Sequence, residues 1–91
     1  MPADAPRRLL WTAAAWADYV YWQGRDRKAL KRINVLIQDA LRHPFEGIGK
    51  PEPLRESLSG LWSRRIDDVN RLVYTVEDDA LAIVACRYHY E

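Results

Sequence analysis

The sequence predicts an α+β domain in which two helices pack on one face of a twisted sheet. Three observations carry that prediction. Two segments with helical spacing of apolar residues lie side by side in the first half of the chain. Three short alternating segments follow in the second half, joined by short polar connections, as an antiparallel meander requires. A short β candidate precedes both helices, so the order is β-α-α and then the meander, with helices and strands segregated along the chain.

The elements follow in order. Residues 1–6, MPADAP, read as a flexible lead-in, and residues 7–91 as one domain. Arg7 to Trp11 (RRLLW) is the first strand candidate. Thr12 can cap a helix running to Gln23, whose alanine run is strongly helical. In that helix Trp16, Tyr19, Val20 and Gln23 form one stripe, and Tyr21 and Trp22 fall off it. Gly24 is a natural stop. Asp26 caps a second helix to Arg42, with Leu30, Ile33, Ile37, Ala40 and Leu41 as its buried face. Arg27, Lys28, Lys31 and Arg32 crowd its first turns, against the helix dipole. They are either a solvated face or a surface for an acidic partner or RNA. Pro44 ends the helix.

Pro44 to Pro53 (PFEGIGKPEP) holds three prolines and two glycines, which argues against regular structure and for a surface loop braced around Glu52. Ser57 to Gly60 reads as a turn. The three strands of the meander are Leu61–Asp67, Arg71–Glu77 and Ala80–His89. Alternation puts Trp62 and Ile66 on one face of the first and Ser63 and Arg65 on the other. It makes Leu72, Tyr74 and Val76 the apolar face of the second. The face away from the helices should be partly open and basic.

Composition narrows the function. The chain has 91 residues, 48% of them hydrophobic, which suits a single folded domain. Its net charge of +1 argues against a protein that wraps polyanions in bulk but leaves room for a local basic patch. The lone Cys86 excludes an internal disulfide and reads as a small buried hydrophobe. No segment reaches the roughly 18–20 apolar residues of a membrane span, and the start lacks a signal peptide's apolar region. A soluble cytoplasmic protein is the simplest reading. No phosphate-cradling glycine loop, metal-ligand spacing or nucleophile elbow is present, so neither metal nor cofactor is expected.

What remains is a set of titratable and cationic groups. Taken singly, Glu52 is a surface glutamate and His89 a polar residue at a sheet edge. Arg65, Arg71 and Arg87 fit solvated edges or ion pairs with Asp67, Asp68 or Glu77. Taken together, a carboxylate, a histidine and two or three arginines are the parts of metal-free RNA cleavage. A base takes the ribose 2′-OH proton, an acid protonates the leaving 5′ oxygen, and arginines neutralise the phosphorane.

The stretches PFEGIGKPEPL, LSGLWSRRI, NRLVYTV and ACRYHY, together with the opening LLWTAAAWADYVYWQ, resemble the Txe/YoeB family of bacterial toxins. The resemblance spans roughly residues 9–90. It implies the RelE-like fold, two helices on a twisted antiparallel sheet. It implies an mRNA interferase that enters the ribosomal A site and cleaves mRNA there. By position, the general base matches Glu52, the phosphate-stabilising arginine Arg71, and the general acid His89. Arg65 matches a supporting arginine, Arg55 a basic residue after PEPL, and Tyr90 the aromatic residue after the acid. The resemblance further implies a homodimer neutralised by a YefM/Phd-type antitoxin. Against the family pattern, this chain has about six extra residues at its start, Glu91 at its end, and Val69 where some relatives carry an acid. Two other readings are a ParE-like toxin acting on a protein target such as gyrase, and a non-catalytic antitoxin-binding module. Neither requires the set Glu52, Arg71 and His89.

Overall fold

The computed structural model describes residues 7–88. Its elements are β1 (Arg8–Trp11), α1 (Ala13–Gln23), α2 (Arg27–Arg42), β2 (Glu52–Pro53), a 3₁₀ turn (Glu56–Leu58), β3 (Trp62–Arg65), β4 (Arg71–Glu77) and β5 (Ala80–Ala85). Both caps form as their residue types demand. Thr12 Oγ1 accepts from the Ala15 amide, and Asp26 from that of Ala29. Gly24 closes α1.

One five-stranded sheet has the order β1-β5-β4-β3-β2. The pairs β2–β3, β3–β4 and β4–β5 are antiparallel, so the meander forms as expected. β1 instead pairs parallel with β5, Leu10 beside Ala82, and the sheet is mixed rather than wholly antiparallel. The helices between β1 and the meander make this possible, since a parallel neighbour needs a long crossover.

The core lies between helices and sheet. Ile33, Leu36, Ile37 and Ala40 of α2 and Ala15 and Trp22 of α1 bury against Leu72, Tyr74, Leu81 and Ile83. The periodicity identified most of the α2 face. It misplaced α1: Trp16 and Val20 stay 50% and 48% exposed, while Trp22, off the expected stripe, is buried. The reason is polar as well as apolar. The indole N–H of Trp22 donates to the Cys86 carbonyl at 2.7 Å, and the Asp18 carboxylate accepts from the Cys86 amide at 3.0 Å. α1 is thus rotated to grip the end of β5. Trp11, Trp16 and Tyr19 stack on one another at the β1 end, with centroids 4.8–5.7 Å apart.

Candidate functional site

Sheet register assembles the site. Glu52 lies opposite Ser63 in the β2–β3 pair, and Arg65 lies opposite Arg71 in the β3–β4 pair. Residues directly opposite one another share a face, as do residues two apart on a strand. Glu52, Ser63, Arg65 and Arg71 therefore project from one face. It is the face away from the helices, since Leu72 and Tyr74 between them point into the core. Glu52 and Arg71 sit two strands apart, about 10 Å across the sheet, within joint reach of long side chains around one phosphodiester.

The loop before Glu52 contains more regular structure than its prolines suggest, because Glu52–Pro53 pairs as an edge strand. An edge tolerates prolines, which lack an amide donor. Two non-glycine residues in left-handed conformation bracket this segment, Lys50 with φ +53° and Glu56 with φ +56°. Such strain persists only where the surroundings enforce it.

The loop just before this segment is held by Arg64, which the sequence expectation passed over in favour of its neighbour Arg65. Arg64 is fully buried. Nε donates to the Tyr74 hydroxyl at 3.0 Å, and Nη1 to the Asp39 carboxylate at 2.6 Å and the Ile48 carbonyl at 3.1 Å. Nη2 donates to the carbonyls of His43 and Glu46. One guanidinium thus folds the 43–48 loop onto β3. Asp39 completes the knot by accepting from the Ile48 amide. Burial alone would raise the Asp39 pKa, but the Arg64 hydrogen bond, the Ile48 amide and the charges of Arg64 and His43 hold it below its ordinary value. Gly47, with φ +117°, is required here, since a Cβ would lie 2.1 Å from an Asp39 oxygen. A buried arginine one residue before an exposed one is legible only through strand alternation: position 64 shares the face of Trp62 and Ile66.

The cationic side of the site is open. Glu52, Arg55 and Arg65 are exposed, and Arg71 is half-buried. The salt bridges among the described residues are Arg8–Asp79 and Arg64–Asp39, so none of these four is charge-paired in this way. Arg65 and Arg71, directly opposite, place like charges together, an arrangement that costs stability unless an anion lies between them. Arg71 leans on the turn, donating to the Asp67 carbonyl at 3.1 Å. Arg32 of α2 donates to the Arg65 carbonyl at 3.2 Å, which accounts for one of the helix's crowded cations.

β5 ends at Ala85, short of the expected His89. The chain then bends. The Arg87 guanidinium lies 3.5 Å from the Tyr21 ring centroid and 4.6 Å from that of Tyr88. Arg87 is thereby committed to cation–π contacts. The Arg71 amide donates to the Tyr88 carbonyl at 2.7 Å, so the tail returns to the arginine pair. His89 and Tyr90 lie outside the described residues. Asn70, beside Arg71, was not recognised from sequence, where it read as a turn residue; its side chain accepts from the Tyr88 amide at 2.6 Å. No group of three or more metal-binding side chains occurs among the described residues, and no helix there is long and apolar enough to cross a membrane.

Residues 11–90 match the family model described as a YoeB-like toxin of a bacterial type II toxin–antitoxin system. The chain is 59% identical over 83 residues to the toxin YoeB of Escherichia coli K12, covering 91% of this chain and 99% of that protein. It is 60% identical over 83 residues to the toxin YoeB of Streptomyces coelicolor, with the same coverage. Among solved structures, a YoeB/ParE toxin from Agrobacterium tumefaciens superposes with a TM-score of 0.89 at 46% identity, over 91% of this chain and 99% of that one. A YoeB dimer from Staphylococcus aureus superposes at 0.87 and 45% identity, over 94% and 100% of the two chains. A YoeB–YefM complex from the same organism gives 0.85 at 44% identity with the same coverage. The chain belongs to the family of YoeB-like toxins of bacterial type II toxin–antitoxin systems.

Proposed function

We propose that the protein is a ribosome-dependent mRNA endoribonuclease that cuts mRNA in the A site and so halts translation in the cytoplasm. The observation that carries this reading is the register that puts Glu52, Arg65 and Arg71 on one sheet face, Glu52 and Arg65 exposed and Arg71 half-buried, with the tail returning to Arg71. Glu52 takes the proton of the ribose 2′-OH. The freed oxygen attacks the adjacent phosphorus. Arg71, supported by Arg65, neutralises the charge gathering on the phosphorane oxygens. His89 protonates the departing 5′ oxygen, leaving a 2′,3′-cyclic phosphate and a 5′-hydroxyl. Arg55 and Tyr90 hold the RNA, by backbone charge and by stacking. No step draws on a metal. In the cell the toxin pairs with a second copy and is neutralised by a YefM-type antitoxin, as the relatives solved as a dimer and as a YoeB–YefM complex suggest.

Primer extension on mRNA in translating ribosomes tests this. Wild type should give A-site cuts. Glu52→Gln and His89→Gln should each lose about 10²–10⁴-fold in rate, and Arg71→Gln about 10²–10³-fold. A wild type that leaves mRNA intact would sink the reading and turn attention to a protein target. Full activity in all three variants would sink the residue assignments.

A further inference from the structure

The turn between β3 and β4 does more than join them. The Asp67 carboxylate accepts from the amides of Val69 at 2.8 Å and Asn70 at 2.7 Å, closing the turn. It also accepts from the Asn70 side-chain nitrogen at both oxygens, 3.2 and 3.1 Å. With its nitrogen committed there, the Asn70 amide has only its oxygen to offer elsewhere. That oxygen accepts from the Tyr88 amide at 2.6 Å, and the next residue, Arg71, donates its own amide to the Tyr88 carbonyl at 2.7 Å. Both backbone polar groups of Tyr88 are thus held by consecutive residues.

Tyr88 needs this hold. Its φ is +63°, a left-handed conformation that a bulky aromatic residue does not adopt unaided. The other grips on the tail are made by α1, where Asp18 and Trp22 take Cys86 and Tyr21 takes Arg87. Beyond Arg87 the backbone is secured through the turn alone among the described residues. One peptide further on lies His89.

The geometry points to Asn70 as a positioning residue: it latches Tyr88 beside Arg71 and so fixes the point from which the chain runs on to His89, the proposed general acid. This rests on the endoribonuclease reading above. Asn70 acts through the backbone of the tail and touches no reacting atom.

The test uses the full chain with Asn70→Ala and Asn70→Asp. Cleavage kinetics on programmed ribosomes are read together with amide hydrogen exchange and melting temperature. Asn70→Ala should lower kcat about 10–100-fold with KM little changed, the signature of a displaced group rather than a lost binding surface. Exchange at the Tyr88 amide should quicken at least about tenfold, while Leu72 and Tyr74 in β4 keep wild-type protection. Asn70→Asp keeps an acceptor but replaces the nitrogen that donates to Asp67 with a carboxylate oxygen, so the two carboxylates repel and the variant should lose Tyr88 protection and kcat much as Asn70→Ala does. Wild-type kcat in Asn70→Ala, or an unchanged Tyr88 amide, overturns the proposal. So does loss of protection throughout β4, which marks a structural role only. If the wild type itself fails to cut, the endoribonuclease reading falls and takes the catalytic part with it. If the wild type cuts and Asn70→Ala cuts equally well, the latch alone is wrong.

Discussion

Arg64 donates to five acceptors from a position with no solvent exposure, and four of those five lie on α2 or in the loop just after it. Its fixed fork of donors is what allows one side chain to satisfy three carbonyls, a hydroxyl and a carboxylate at once. A lysine at this position has three donors on one nitrogen and leaves at least two of the acceptors unmet. Each unmet buried group costs about 1–3 kcal/mol. Arg64→Lys should therefore destabilise the fold by about 2–4 kcal/mol, visible as a melting temperature lower by about 10–20 °C. Cleavage should fall as well, because the loop that presents Glu52 is tied down here. A variant that melts within a few degrees of wild type would show that the loop carries itself. Gly47→Ala should approach the same loss, since the added methyl meets the Asp39 carboxylate. Gly24→Ala serves as the control. Nothing lies within 4 Å of its Cβ and its φ is −99°, so it should be neutral or stabilising by up to about 1 kcal/mol.

At the level of elements, the legible parts were those set by local patterning. The α2 face, both helix caps and the β3–β5 meander follow from spacing, capping residues and alternation, which act within a few residues. Glu52, Arg65 and Arg71 stood out in the sequence as residue types, and their shared face follows from register. What escaped was set by contacts distant in sequence. α1 turned Trp16 outward because Trp22 and Asp18 were needed at Cys86, 64 and 68 residues away. Asn70 was invisible for the same reason, since the Tyr88 amide it holds lies 18 residues away; alternation could place Arg64 on the buried face but could not name the partners it meets there. The α1–tail grip can be measured directly. Trp22→Phe keeps the ring's bulk in part but deletes the indole donor, leaving the Cys86 carbonyl without that partner. It should cost about 1–3 kcal/mol, read as a lower urea midpoint. Cleavage at temperatures well below melting should also weaken, because the segment leading to Tyr88 is loosened. An unchanged midpoint would mean that the grip is apolar only.

For the molecule as a whole, these contacts set how stability varies with pH. Asp39 and Asp67 both titrate below the usual 3.8. In each, burial acts upward and is outweighed, for Asp67 by the amides of Asn70 and Val69, the Asn70 side chain and the Arg71 charge. A carboxylate with a depressed folded pKa stabilises the fold above its unfolded pKa and loses that contribution as pH falls through the folded value. The acid limb should therefore begin below about pH 4. On the alkaline side, burial and then the nearby Asp18 carboxylate push the Cys86 thiol up from 9.0 to about 12, and burial likewise raises Tyr74. Here the sign reverses. The unfolded chain ionises first, so stability is intact below pH 9 and falls as pH rises toward 12. Cys86 alone contributes a slope of about 1.4 kcal/mol per pH unit over that range. Urea midpoints across a pH series should show a plateau between the two limbs. Cys86→Ala should lower the plateau by about 1 kcal/mol, through the small cavity it leaves, and flatten the alkaline limb. Asp39→Asn should flatten the acid limb and leave the alkaline one in place. An alkaline limb of the same slope in Cys86→Ala would mean that the thiol ionises in the folded protein nearly as freely as in the unfolded chain, and that the α1 grip on the tail opens far more often than its hydrogen bonds imply.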